Sequence, residues 1–404
     1  MVDFQFVSGL NTIGGNIIDI RSDFGRVIFD YGEVSDPESG SLPDLSHTTE
    51  NTAIFISHLH IDHIGSLKYV PKKVPIYMSQ ESYTLYNHLV EIGEELPIKA
   101  SVYPVDYHKV KKIGDIKVTA KQSDHDIRGA SAFFVETPDV KFIYSGDLRL
   151  TGNYPEFVEE WMEEANKFQA DILLLEGTTF SFEEEREHVA EKELYAHWQE
   201  LIRNTPSEII FINPYIRNTE RLLNLLKQTK AQGRCVVLEP KYAHLLKEIE
   251  NYTDTYVLQD LDFEEAFEDR WVSLESIQNE PTKYVLQNSF ENRSFMNRFN
   301  SGIYGHSNGE PLGDYDSRYE DLIKTIEANN FAFENLNSGG HATKEDLIKI
   351  AQIIDAKVTV PWHSFKPEAL AEALSRSGIA SMLPELDVVY SINRLNKVSS
   401  GENQ

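Results

Sequence analysis

The sequence predicts an α/β protein: an αββα sandwich over residues 1–189 and 336–404, with a parallel-sheet α/β domain over 190–335 inserted into it. Three observations predict this layout. Residues 1 to about 180 alternate short apolar runs with turn signals, the pattern of half-buried strands. Helical periodicity then interleaves with strand-like runs, and alternating β and α elements build parallel sheets. After Ser338-Gly339-Gly340 the chain returns to an apolar run ended by a histidine, the pattern of its first part.

The elements follow in order. Ala53-Ile54-Phe55-Ile56, Ile116 to Ala120, Lys141 to Tyr144 and Leu173 to Leu175 are apolar enough for buried strands. Helical spacing runs through Glu183 to Ile202, Asn218 to Gln232 and Tyr242 to Ile249, separated by strand-like Glu208 to Ile212 and Arg234 to Leu238. Tyr284-Val285-Leu286 and a helix from Tyr315 to Ala328 continue the alternation. Thr343 and Asp346 have capping-box spacing, and Leu347, Ile350, Ala351 and Ile354 form the buried stripe of the helix they start. Lys357 to Trp362 is the last strand-like run.

At 404 residues and 41% hydrophobic, the chain can bury one large core or two ordinary ones. A single cysteine, Cys235, excludes an intramolecular disulfide and suits a reducing compartment. Met1 to Val7 lacks the basic start and apolar stretch of a signal peptide, and no apolar run approaches the ~20 residues of a membrane helix. The expectation is a cytoplasmic protein with no membrane partner. The net charge of −27 argues against broad electrostatic attraction to nucleic acid. Much of that acid lies in helical stretches, Glu156 to Glu164 and Glu183 to Glu193, where it reads as solvated faces.

The chemistry concentrates in Ser57-His58-Leu59-His60-Ile61-Asp62-His63-Ile64-Gly65. Three imidazoles and a carboxylate within six residues supply the nitrogen and oxygen ligands that zinc prefers. In an extended segment His58 and His60 project to one side and reach one ion. Asp62 and His63, where the chain turns helical, reach a second. Asp147, His125 and His363 each follow an apolar β-like run as well. The remaining histidines (His47, His88, His108, His188, His197, His244 and His306) read as surface or core residues.

The pattern His-x-His-x-Asp-His resembles the signature of the metallo-β-lactamase superfamily. That resemblance implies two divalent ions, zinc with manganese as the alternative. His58, His60 and His125 would hold one, Asp62, His63 and His363 the other, and Asp147 would bridge them. Ile13 to Gly32 would be the fold's two opening strands, with Asp30 at the end of the second. The long insertion resembles the β-CASP branch, whose markers fall on Glu176, His341 and His363; histidine at the third station is the mark of the RNA-acting members. Within the branch the chain resembles ribonuclease J, although Trp362-His363-Ser364-Phe365 stands where Val-His-Gly-Glu is usual. The implied activity is hydrolysis of phosphodiester bonds in single-stranded RNA by a hydroxide shared between two metals. A DNA nuclease of the same branch and a hydrolase of small esters or thioesters are the alternatives. Asp62, Glu176 and His341 would be catalytic, and Ser338, Gly339, Gly340, His341 and Arg217 would bind substrate. Arg221, Arg293 and Arg298 are further candidates for phosphate contacts, and self-association is left open.

Overall fold

The computed structural model describes residues 1–34, 40–46, 48–183, 189–263, 267, 270–313 and 316–391. The chain divides into two compact units, Met1–Glu187 with Gly340–Gln404, and His188–Gly339.

The first unit begins with β1 (Asp3–Ser8), β2 (Ile17–Arg21), β3 (Arg26–Phe29), β4 (Thr52–Phe55), β5 (Ile76–Ser79) and β6 (Val102–Val105). It continues with β7 (Val110–Ile113), β8 (Ile116–Gln122), β9 (Ser131–Glu136), β10 (Lys141–Tyr144) and β11 (Ile172–Glu176). The second unit holds β12 (Ile209–Pro214), β13 (Cys235–Leu238), β14 (Tyr256–Leu258), β15 (Trp271–Val272), β16 (Tyr284–Gln287), β17 (Gly302–Ser307) and β18 (Phe331–Asn335). The chain then returns with β19 (Val358–Trp362) and β20 (Tyr390–Ser391).

One sheet of the first unit runs β20-β1-β2-β3-β4-β5-β6 and the other β19-β11-β10-β9-β8-β7. Aromatic side chains fill the space between them. Phe29 of one sheet lies 5.3 Å from Phe133 and 5.2 Å from Tyr144 of the other. On the outer face of the second sheet, helices Pro155–Phe168, Lys344–Ile354 and Pro367–Arg376 bury Val158, Trp161, Leu347, Ile350 and Leu370 in a separate core. Helix Gln80–Glu91 buries Leu85 and Leu89 and packs against β5 and β6. The unit is therefore an αββα sandwich.

Parallel pairing positions the functional residues. β10, β11 and β19 are mutually parallel, with Tyr144 opposite Leu174 and Glu176 opposite Trp362. Asp147, Glu176 and His363 consequently leave the same edge of one sheet, the carboxyl end where α/β sheets bind ligands. β3 to β6 are parallel too, and β4 runs directly into His58.

The second unit is one seven-stranded parallel sheet, β15-β14-β13-β16-β12-β17-β18, with a core on each face. Within it Arg221 and Glu191 form a fully buried ion pair at 2.6 Å, and Arg221 also bonds Asn308.

Several elements differ from the sequence expectation. The opening strand is β1, built on buried Phe4 and Phe6, so Ile13 to Gly32 supplies the second and third strands. The helix expected from Glu183 is Glu191–Asn204, fixed at its start by the Glu193 carboxylate accepting from Ala190 N; residues 184–188 lie outside the described ones. The helix expected from Tyr315, also outside the described residues, begins at Arg318. Among the described residues no helix is long and apolar enough to cross a membrane.

Candidate metal centre

β4 ends at Phe55, and after Ile56 and Ser57 the chain turns into the short helix Ile61–Ile64. That turn gathers His58, His60, Asp62 and His63 at one place. The tight passage depends on Gly32, where a Cβ would sit 1.8 Å from the Asp62 carbonyl oxygen. Gly146, just before Asp147, has φ +57° and would press a Cβ to 2.8 Å from the Ser131 carbonyl.

Two groups of potential ligands result: His58, His60, His125 and Asp147, and Asp62, His63, Asp147 and His363. Within each group the ligand atoms lie within 4.8 Å of one another, and Asp147 belongs to both. His363 Nε2 is 2.9 Å from Asp62 Oδ2, and Asp147 Oδ2 is 3.3 Å from His63 Nε2 and 3.6 Å from His58 Nε2. The donor set fits a divalent cation on two grounds. His58 Nε2 and Asp147 Oδ1 are buried with no hydrogen-bond partner, and such atoms are costly unless something coordinates them. His125 Nε2 also faces His60 Nδ1 at 3.2 Å, two nitrogens converging on one point.

Protonation states suit the same role. Burial, reinforced by the neighbouring imidazoles, holds His58 well below the ordinary histidine value. Burial likewise lowers His60 and takes His125 down to about 3, so all three rings are neutral at neutral pH. For Asp62 and Asp147 burial works against ionisation but is outweighed by His63 and His363, and both stay well below the carboxylate range. Neutral imidazole and ionised carboxylate are the ligating forms. His63 is the exception: burial opposes its charge, but Asp147, Asp62 and Asp30 raise it well above its ordinary value.

A second set of residues aims these side chains. Asp30 is buried at the end of β3 with φ 59°. Its carboxylate accepts from Ser57 N at 2.6 Å, Ser57 Oγ at 2.7 Å, Tyr144 Oη at 2.5 Å and His63 Nδ1 at 2.7 Å. His125 Nδ1 is hydrogen-bonded to the Gly340 carbonyl, and Thr178 Oγ1 lies 2.6 Å from His363 Nδ1. His363 itself has φ 53°, a left-handed conformation that non-glycine residues avoid unless their surroundings hold it. Partners of this kind fix ring orientation and which nitrogen faces a metal. Sequence reading placed Asp30 at a strand end without giving it a task, and it missed Thr178, Ser57 and Tyr144.

Beside the two groups, His341 Nδ1 lies 3.2 Å from Glu176 Oε1. Burial opposes the imidazolium, but Glu176 and then Asp147 outweigh it and raise His341 to about 9. Thr178 N donates to the other Glu176 oxygen at 2.8 Å. Of the acids flanking His125, Asp124 is committed to Arg149 and Tyr154 N, whereas Asp126 Oδ1 lies 3.3 Å from His60 Nε2 and from His125 Nε2. The other proposed substrate contacts, Arg217, Ser338 and Gly339, belong to the second unit, with Arg217 and Ser338 buried there; Gly340 and His341 belong to the first. Arg221, another phosphate-contact candidate, is engaged by Glu191.

Residues 37–209 match the Beta-lactamase superfamily domain. That stretch, which carries His58, His60, Asp62, His63, His125 and Asp147, is similar to the metallo-β-lactamase superfamily. Among superfamily relatives, ribonuclease J of Mycoplasma genitalium is 23% identical over 396 residues, covering 88% of this chain and 66% of that protein. The RNase J-like protein of Methanocaldococcus jannaschii is 25% identical over 191 residues, covering 44% of this chain and 43% of its own length. The chain thus spans at most about two thirds of these curated relatives. A crystal structure of a protein of unknown function from Enterococcus faecalis V583 superimposes with a TM-score of 0.83 at 28% identity, covering 96% of this chain and 99% of that one.

Proposed function

We propose that the protein is a metal-dependent hydrolase that cleaves phosphodiester bonds of single-stranded RNA, with two divalent cations, zinc by preference, held by His58, His60, Asp62, His63, His125, Asp147 and His363. The observation that carries this reading is the juxtaposition of two ligand groups sharing Asp147 with the Glu176–His341 pair. Relatives named ribonuclease J support the substrate class. Cations bound there would supply an activated water near neutral pH and neutralise charge on a phosphoryl group.

The chain's own residues supply the rest. Asp62 has a side chain 26% exposed where Asp147 is at 1%, so it is the carboxylate that can take a proton from an entering water. His341, 23% exposed and kept protonated by Glu176, can donate to a phosphoryl oxygen or to the departing oxygen. Its position two residues before the cap of helix Lys344–Ile354 also places it near N–H groups that favour phosphate.

Matched RNA and DNA oligonucleotides of one sequence, 5′-phosphorylated and labelled at either end, test this with one metal and one salt concentration. RNA should be cleaved faster, and chelator should stop cleavage. His341→Ala should keep its metal and lose about 10²–10³-fold in turnover, the usual scale for one transition-state donor. His363→Ala should lose metal. Equal or faster DNA cleavage would sink the RNA assignment, and cleavage of neither polymer alongside rapid thioester hydrolysis would move the protein to small substrates.

A further inference from the structure

The first unit carries a lysine-rich crevice away from the metal ligands. It follows β6 and the turn into β7, with a volume of about 790 Å³, and shares Lys72 with a second hollow of about 630 Å³. Lys68, Lys72, Lys73, Lys99, Lys109 and Lys111 line the two. Against these six lysines the lining has two acids, Glu50 and Asp106, a local charge of +4 in a chain of −27. Tyrosines are interleaved with the lysines: Tyr69 is 63% and Tyr103 49% exposed. The Tyr103 ring lies 5.7 Å from that of Tyr77, which also carries Lys111 Nζ at 4.6 Å from its centroid.

Edge-strand lysines often serve only to prevent sheets from pairing edge to edge, and β6 and β7 are the end strands of their sheets. That accounts for Lys111 of β7 and for Lys109 immediately before it. It leaves unexplained Lys68, Lys72 and Lys99, which stand outside the strands, and the two exposed tyrosines. We propose that this crevice is a second binding surface, a track for single-stranded RNA; the proposal rests on the ribonuclease reading above. Lysines that follow a groove meet the backbone phosphates, and tyrosine faces accept bases in a sequence-tolerant way. An anionic lipid surface would use the lysines but gives no role to tyrosines set within a groove. Direction supports the assignment as well. β3 to β6 are parallel, so the crevice runs along β6 toward the same end of the sheet from which β4 delivers His58. A strand lying in it would follow β6 toward that end of the sheet, and long substrates would gain contacts that short ones cannot make.

The test is binding of a labelled, unstructured 30-nucleotide RNA to the full chain in chelator, followed by fluorescence anisotropy across a salt series. Wild type is compared with the combined variant Lys72→Gln, Lys99→Gln, Lys109→Gln and Lys111→Gln. Each lost phosphate contact lowers the log–log salt slope by ~0.7 on a single strand, so the slope should fall by about 3 and affinity by at least tenfold at low salt. Once metal is restored, the ratio of 30-mer to tetranucleotide turnover should fall at least tenfold. Should the lysine variant aggregate, as an edge-protecting role demands, Tyr69→Ala with Tyr103→Ala tests the same track and should weaken 30-mer binding about fivefold or more. Binding within twofold of wild type, or tighter binding of wild type to phosphatidylserine vesicles than to RNA, overturns the proposal. Lysine-dependent RNA binding without RNA cleavage would remove the ribonuclease reading and leave the track standing.

Discussion

Replacing Asp30 by Asn should damage both stability and metal binding, although Asp30 touches no cation in the proposed arrangement. Its two oxygens receive four donors, Ser57 N, Ser57 Oγ, Tyr144 Oη and His63 Nδ1, in a fully buried place. An amide keeps one acceptor oxygen and sets an NH₂ against donors. If the oxygen stays toward the three donors at Oδ2, Ser57 N meets an N–H. In the other orientation three donors do. A buried donor left unpaired costs ~1–3 kcal/mol, and bonds to a charged acceptor are the stronger kind. The milder orientation, with the lost charge, therefore costs about 3 kcal/mol, a large part of a typical 5–15 kcal/mol. At roughly 2–4 °C per kcal/mol for a unit of this size, the melting temperature of metal-free protein should fall by about 6–12 °C. With the charged acceptor of His63 Nδ1 replaced by a neutral amide oxygen, metal affinity should drop about 10–100-fold, the usual effect of losing such a partner. Competition against a fluorescent chelator reads the second quantity, and thermal unfolding in chelator reads the first. A variant with wild-type affinity and an unchanged melting temperature would refute the idea that Asp30 aims His63.

Two further outcomes follow from individual contacts. Thr178→Val keeps the side-chain shape and the backbone bond to Glu176 but removes the hydroxyl beside buried His363 Nδ1, so metal affinity at one site should fall about tenfold or more and the melting temperature by a few degrees; unchanged affinity by chelator competition counts against it. Glu239, buried in the second unit, is raised to about 7, chiefly by burial and despite hydrogen bonds from Ser289. Its folded-state value lies above the ordinary 4.5, so the folded state binds the extra proton and stability falls as pH rises from about 4.5 to 7, by about 3 kcal/mol in all. Glu239→Gln should therefore be more stable than wild type at pH 8 and gain little at pH 5; urea midpoints at the two pH values check it, and an equal difference at both would be the contrary result.

Several candidate ligands were legible because they obey a local rule: a polar residue of ligand type shortly after an apolar run. His58, Asp147 and His363 sit where β4, β10 and β19 run out, and the family resemblance picked them out among the residues at strand ends. The helix after His341 was legible for a similar reason, since Thr343 does cap it through Asp346 N and its buried stripe is Leu347, Ile350, Ala351 and Ile354. Residues that aim the ligands obey no such rule. Asp30 meets Tyr144 across 114 positions, and Thr178 meets His363 across 185. Nothing periodic in the chain marks those pairings. The arginines' partners were hidden for a related reason. Arg221 has the composition of a phosphate contact, yet its guanidinium is satisfied by Glu191, a partner thirty residues upstream at the start of another helix. β1 was missed although its signal was present, the alternation of Phe4 and Phe6 with polar neighbours.

The acidic charge and the proposed substrate are reconciled by distance. Glu156, Glu159, Glu160 and Glu163 lie exposed on helix Pro155–Phe168, and at physiological salt charges more than ~8 Å apart are largely screened. A phosphate near the centre therefore responds to what is local. Empty of cations, that centre gathers the carboxylates of Asp30, Asp62, Asp126, Asp147 and Glu176 against the imidazoliums of His63 and His341; two divalent ions would offset that acidic excess and leave His341 to face a phosphate. The charge of the centre thus depends on its metal, whereas the lysines of the crevice beside β6 are positive with or without it. An enzyme built this way can hold a polyanion outside the centre at all times and admit phosphate to the reacting position only when the ligands are loaded. Net charge, which argued against broad attraction to nucleic acid, constrains where the proposed substrate would bind.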